Sequence, residues 1–132
     1  MKIIIIGGVA AGMSAAAKLS RELPEAQVIV FEKTQEVSYA GCGLPYYVSG
    51  ENDDINKLRI RTVDQFKKSG IDVRLGHTVI GLDAVNKTVD VENEAGVFQE
   101  SYDRLIITTG ASPIVPPIAG NDLPGVFVLK SL

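Results

Sequence analysis

The stretch from Lys2 to Lys33 restricts the fold more than any other part of the chain. Lys2 to Ile6 is a short apolar run closed by Gly7-Gly8, the pattern of a strand buried on both faces. Ala10 to Leu23 is rich in alanine, carries Met13, Ala16, Ala17 and Leu19 where they can face a sheet, and meets a helix breaker at Pro24. Gln27 to Phe31 is β-branched and aromatic, which predicts a second strand. Strand, glycine turn, helix and strand in this order make a βαβ unit, with parallel strands and a right-handed crossover.

Further along, Tyr39 to Gly50 reads as a loop leading into a short helix. Thr62 to Ser69 reads as a helix with Gly70 at its C-cap, followed by a strand at Ile71 to Leu75. From His77 to Tyr102 the pattern becomes alternating. Asn86-Lys87 and the segment Asn93 to Gly96 divide it into a three-stranded antiparallel meander. Arg104 to Thr108 returns to the buried-strand pattern. A proline-rich connector follows, and Val126 to Leu129 is expected to be a last short strand. The predicted class is α/β: a mostly parallel sheet with helices, and a small antiparallel β-meander over one side.

Composition narrows the partners. With 45% hydrophobic and 22% charged residues the chain is globular rather than disordered. A net charge of −3 gives no electrostatic footprint for nucleic acid or an anionic membrane. The opening apolar run, Ile3 to Ile6, is too short for a signal peptide, and nothing approaches a membrane span. A lone cysteine, Cys42, rules out an internal disulfide and makes a reducing, cytoplasmic setting the default expectation.

The turn Gly7 to Gly12 carries the first chemical signal. A diphosphate needs a backbone that approaches closely and a helix N-terminus aimed at it. Gly7 and Gly12 fill the first and third glycine positions of a dinucleotide fingerprint. Val9 stands at the second, and the adjacent Gly8 is expected to supply the close approach instead. Gly7, Gly8, Ala10, Ala11 and Gly12 are therefore the candidate diphosphate contacts. Glu32 lies about 20 residues beyond Gly12, at the end of the second strand, where a carboxylate accepts hydrogen bonds from ribose hydroxyls and repels a 2′-phosphate. The competing explanation is a glycine turn in another α/β fold.

Cys42 stands between Gly41 and Gly43, with Pro45 suited to a helix first turn. Flanking glycines leave the sulfur approachable, and first-turn amides would stabilise a thiolate nucleophile. A small buried apolar side chain is an equally good reading of the spacing alone.

Taken together, Gly7 to Gly12, Phe31-Glu32-Lys33 and Ser38 to Gly50 resemble the single-cysteine branch of the FAD-dependent pyridine nucleotide–disulfide oxidoreductases. That branch includes coenzyme A-disulfide reductases, NADH oxidases, NADH peroxidases and persulfide reductases. The resemblance runs over the whole chain. It implies a Rossmann-like FAD/NAD(P)-binding domain, with Thr109 and Gly110 in a second FAD contact and the backbone at Val79 against the adenine. Lys33 is a candidate contact to the adenosine part. The implied cycle passes electrons from NADH to FAD and on to Cys42, which alternates between thiol and an oxidised form. That form is a mixed disulfide with coenzyme A in the disulfide reductases and a sulfenic acid in the oxidases.

Within the branch, Ala10 stands where the oxidases and peroxidases carry a His, which favours the reductases. Ser14, Arg21 and Ser38 match the coenzyme A contacts of the disulfide reductases. Lys18 and Gly41 depart from them, so a persulfide or polysulfide remains a candidate substrate. The resemblance also implies that residues 1–132 are the N-terminal FAD-binding segment of a longer, homodimeric protein, with the NADH site and the dimerisation domain outside this chain. The alternatives are an NADH oxidase and a nucleotide-binding module without turnover. Of the remaining residues, His77 reads as a surface or backbone-positioning histidine, and Tyr46 and Tyr47 as core aromatics. Glu51 to Asp54 lacks the spacing of a calcium loop, and no metal site is expected.

Overall fold

The computed structural model describes residues 1–132. Strand β1 (Lys2–Ile6), helix α1 (Ala10–Glu22) and strand β2 (Gln27–Glu32) form the expected βαβ unit. Leu23 closes α1 by donating its N–H to Leu19 O at 2.8 Å, just ahead of Pro24. The loop after β2 leads through a 3₁₀ turn, Gly41–Gly43, into α2 (Leu44–Val48) and a second 3₁₀ turn, Ile55–Leu58. Helix α3 (Val63–Lys68) follows. Thr62 and Gln65 form a reciprocal capping box at its start, and Gly70 takes the left-handed conformation beyond its end (φ +75°). The remaining strands are β3 (Ile71–Leu75), β4 (Thr78–Asp83), β5 (Thr88–Asn93), β6 (Gly96–Ser101) and β7 (Arg104–Ile107).

Four strands make one parallel sheet in the order β3-β2-β1-β7. The other three make the antiparallel meander β4-β5-β6, with a register shift between Val79 and Gly81. Strand alternation then builds three layers. Ile5, Val28, Val30, Ile71 and Val73 face Met13 and Ala16 of α1 and Phe66 of α3. Ile4, Ile29 and Phe31 face the other way and are covered by Val89 and Val91 of the meander. Both faces of the parallel sheet are therefore buried, which is why its strands read as unbroken apolar runs. Lys2 and Arg74 of the sheet reach Glu100 of the meander at 2.5 and 3.5 Å and brace the two layers.

Two expectations fail. Val126–Leu129 forms no strand: it has no ladder partner, and Phe127 is 87% exposed. β-Branched residues favour a pleated, half-buried surface, but without a neighbouring strand that preference has nothing to act on. Tyr46 and Tyr47 are not core residues, being 57% and 37% exposed. Helix α2 is only five residues long, and Leu44 takes its buried position. No helix is long and apolar enough to cross a membrane.

Helix α1 is pressed onto the sheet at Gly12. A Cβ there would run into the carbonyl oxygen of Gly7 and come within 2.7 Å of Thr108 Oγ1. Thr108, just beyond β7, donates its hydroxyl to Ile6 O at 2.8 Å and so fixes that oxygen in place. Gly12→Ala is therefore expected to lower unfolding free energy by about 3 kcal/mol, the upper part of the range for overpacking. Gly41→Ala, whose Cβ would lie an ordinary 3.8 Å from the Tyr39 ring, should change it little. Urea unfolding of the two variants checks the contrast.

Candidate functional site

Because β1, β2, β3 and β7 are parallel, their C-terminal ends share one edge of the sheet. Gly7, Glu32, Gly76 and Thr108 meet there, on the side where ligands bind in open α/β sheets. Gly7 adopts φ +106°, and a Cβ on it would strike the carbonyl oxygen of Thr108. The first glycine is thus needed for the turn and for the approach of β7. The N-terminus of α1 has no side-chain cap and no acidic residue in its first turn, while Ala10 and Ala11 are exposed. Its leading amides are left for an external acceptor.

Gly8 also has a role inside the protein. A Cβ on Gly8 would lie 2.9 Å from Glu32 Cβ, so the missing side chain makes room for the carboxylate. Glu32 is 6% exposed; its Oε2 accepts from Gly8 N–H at 2.7 Å. Its Oε1 accepts from the N–H and hydroxyl of Thr34 at 2.8 and 2.9 Å. A carboxylate offers about four acceptor sites, so this one keeps capacity to spare. The Thr34 hydroxyl has a second acceptor, Glu36 O at 3.1 Å, and turning to it would free another site on Glu32.

The other face of the Gly8 peptide holds the cysteine loop. Ser38 donates its N–H to Gly8 O at 2.9 Å, in a left-handed conformation with φ +50° that is uncommon for serine. From there Ala40 N–H pairs with Leu58 O at 2.8 Å and Ile60 N–H with Ser38 O at 2.9 Å, an antiparallel clip centred on Tyr39 and Arg59. Buried Tyr39, Leu44 and Leu58 pack beneath the loop, and Val9 joins them. The residue that departs from the glycine fingerprint is therefore an apolar link between the two loops. A Cβ on Gly43 would displace Cδ2 of the buried Leu58 side chain. Cys42 sits on this platform as an exposed free thiol, which rules out the buried-residue reading.

The clip is also held electrostatically. Arg59 donates to both carboxylate oxygens of Glu36, through Nε at 2.9 Å and through a terminal nitrogen. This hydrogen bonding holds the Glu36 carboxyl below its ordinary value. Burial, then the charges of Glu32 and Glu36, push the Tyr39 hydroxyl above its ordinary value, so it stays protonated.

The remaining candidates are distributed around this centre. Ser14 and Ser38 line one groove together with Tyr39 and Arg61. Arg21, in the last turn of α1, is exposed and outside that lining. Lys33, Thr109 and Gly110 are exposed at strand ends, and Gly110 has φ +69°. The side chain of Val79 packs against the meander core, leaving its backbone beside the Val79/Gly81 irregularity. His77 proves to be a positioning residue. Its Nδ1 donates to Leu75 O at 2.7 Å, its Nε2 accepts from Asn93 Nδ2 at 3.1 Å, and its ring stacks on Phe31. Sequence reasoning missed Thr34, Leu58, Arg59 and Arg61, and the hydrogen bond that Thr108 makes back to Ile6 O. Only Thr34 carried a local signal, a threonine placed to hydrogen-bond across the turn after a strand-end acid.

Comparison with known proteins identifies the family. The family model described as pyridine nucleotide-disulphide oxidoreductase matches residues 1–132. The chain is 46% identical to an NAD(P)H coenzyme A polysulfide/persulfide reductase of Pyrococcus horikoshii, covering 96% of this chain and 28% of that protein. It is 33% identical to an NADH oxidase of Methanocaldococcus jannaschii, covering 100% of this chain and 30% of that protein. The solved structure of an NAD-dependent persulfide reductase from A. fulgidus superposes with a TM-score of 0.93 at 39% identity, covering 99% of this chain and 25% of that one. The chain thus spans under a third of the length of these relatives.

Glu32→Gln tests the carboxylate apart from any ligand. Its amide nitrogen must face either Gly8 N–H or Thr34 N–H, so one buried donor loses its acceptor. A loss of about 1–3 kcal/mol in unfolding free energy is expected, and an unchanged urea midpoint would contradict the role given to Glu32. The Glu36–Arg59 pair makes a prediction in pH. Folding lowers the Glu36 pKa, so the pair stabilises the fold above the ordinary value of 4.5, and that share is lost as pH falls through the lowered folded value. As pH falls from 4.5 through that lowered value, wild type should lose stability faster than Glu36→Gln, with the difference shrinking in high salt. Identical acid-side slopes in urea titrations would show that the pair contributes nothing.

Proposed function

The chain belongs to the pyridine nucleotide-disulphide oxidoreductase family, and on that premise we propose that it is the FAD-binding, cysteine-bearing segment of an NADH-dependent disulfide reductase. The proposed substrates are coenzyme A disulfide or a per- or polysulfide. The observation that carries this reading is the placement of Cys42: an exposed thiol on a platform hydrogen-bonded, through Ser38 and Gly8, to the dinucleotide loop.

The residues present fit FAD. The uncapped N-terminus of α1 offers amides to a diphosphate, with no carboxylate in its first turn to oppose one. Glu32 is held in place by Gly8 and Thr34 and keeps acceptor capacity for ribose hydroxyls. Lys33, the backbone at Val79, and Thr109-Gly110 complete the proposed cofactor contacts. When bound, the flavin supplies two-electron transfer between nicotinamide and thiol.

The chemistry assigned to this chain's own residues is thiol–disulfide exchange. The Cys42 thiolate attacks one sulfur of the substrate disulfide. A bond forms between Cys42 Sγ and that sulfur, the substrate S–S bond breaks, and the other sulfur leaves as a thiolate that takes a proton from water. Two electrons delivered to the mixed disulfide then release the second thiol and restore Cys42. Ser14, Arg21 and Ser38 are the proposed coenzyme A contacts. A reducing, cytoplasmic setting and a homodimeric full-length protein belong to the same proposal. The runner-up is an NADH oxidase cycling Cys42 through a sulfenic acid, favoured by the likeness to the M. jannaschii protein and opposed by Ala10 in the glycine loop. Oxygen consumption against thiol release separates the two.

Full-length protein carrying Cys42→Ser should keep its flavin absorbance while disulfide reduction with NADH falls by more than about 10³-fold. Retained turnover would remove Cys42 from the mechanism.

A further inference from the structure

We infer that His77 is a positioning residue for the nucleobase end of the cofactor: as a neutral imidazole it fixes the start of β4 against Glu32, and as an imidazolium it does not. The inference deepens the reading of this segment as an FAD site and rests on it.

The hydrogen bonds around the ring decide its tautomer. The Asn93 amide is oriented by the β5–β6 turn, where Ala95 N–H donates to Asn93 Oδ1 at 2.9 Å. Its Nδ2 therefore faces His77 Nε2 at 3.1 Å, and that ring nitrogen is the bare acceptor. The proton sits on Nδ1, which donates to Leu75 O at 2.7 Å. The backbone N–H of the same residue donates to Glu32 O at 3.0 Å. One residue thus ties together the end of β2, the end of β3 and the β5–β6 turn. Its ring stacks on buried Phe31 and stands edge-on to Phe98.

Strand β4 begins at the next residue, and Val79 packs into the cluster around Phe31. β4 is an outer strand of the meander, so one row of its backbone N–H and C=O groups has no ladder partner. An adenine carries an amino donor and ring-nitrogen acceptors, the complement of such an edge. The spacing between that edge and the carboxylate assigned to the ribose is set at His77.

Protonation opposes this arrangement. An imidazolium donates from both nitrogens, so Nε2–H would meet the Asn93 amide N–H. Turning the amide over would offer its oxygen to the ring and set its nitrogen against Ala95 N–H. No orientation of Asn93 then satisfies both neighbours. A cavity of about 320 Å³ beside the ring, with Gln35, Gly76 and Glu94 in its lining, leaves the ring open to solvent. Charged groups on the surrounding elements do not replace the lost bond. Glu32 is held by Gly8 and Thr34, Arg74 by Asp72 and Glu100, and Asp90 by Gln99. Lys33, Glu92 and Glu94 are exposed and make no hydrogen bond to the ring.

The test is the FAD affinity of full-length apoprotein, read by flavin fluorescence from about pH 8 to about pH 5.5, the range in which histidine changes charge. Wild type is expected to bind about five- to tenfold more weakly at the acid end, the effect of one hydrogen bond lost. His77→Gln keeps one acceptor and one donor and takes no proton, so its affinity should stay level. Asn93→Asp offers one oxygen to Nε2 and the other to Ala95 N–H, which suits the imidazolium, so its affinity should rise on acidification. The two variants are read independently. A level profile in wild type, the wild-type slope in His77→Gln, or the wild-type direction in Asn93→Asp overturns the role of His77. Wild type that binds no FAD at any pH overturns the cofactor reading itself.

Discussion

The peptide of Gly8 joins the two halves of the site. Its N–H is held by the buried carboxylate of Glu32, and its carbonyl accepts from Ser38 at the start of the cysteine loop. The first contact depends on the missing side chain, because a Cβ would occupy the space taken by Glu32. A buried carboxylate is costly unless its oxygens are satisfied, and here backbone donors on both sides satisfy it. The turn that opens α1 and the platform that presents Cys42 are therefore positioned by one residue.

That arrangement places unlike chemistries on a single rigid support. The parallel sheet is covered on one face by α1 and α3 and on the other by the meander, so the strand ends that carry Gly7, Glu32 and Thr108 have little freedom to shift. The cysteine loop has almost no regular structure of its own. It gains rigidity from the clip to residues 58–60, from the Tyr39–Leu44–Leu58 cluster and from the Glu36–Arg59 pair. Exposure of Cys42 and fixation of the backbone beneath it are both met: the apolar residues of the loop point down and the sulfur is left outside.

Much of this was legible before any coordinates. The βαβ unit, the meander and the helix ending at Gly70 follow from periodicity, glycines and capping residues, which act over a few neighbouring positions. The failures occur where the outcome depends on distant neighbours. Val126–Leu129 has the composition of a strand and no partner to pair with. Tyr46 and Tyr47 have the composition of a core and sit on a helix whose single buried position belongs to Leu44. Val9 looked like a defect in the glycine fingerprint and is a packing contact to a loop some thirty positions away.

The sequence by itself determined the element order, the parallel βαβ core and the pairing of a glycine turn with a strand-end acid, because each rests on local backbone preference and on the alternation of apolar residues. It also singled out Cys42 by its glycine neighbours. Only the tertiary structure decided that Gly8 serves Glu32 and Ser38, that Thr108 locks the turn, and that Arg61 shares a groove with Ser14 and Ser38. Those are contacts between segments far apart in the chain. Hydrogen-bond partners and steric room at such contacts are set by how the layers come together, which no local pattern encodes.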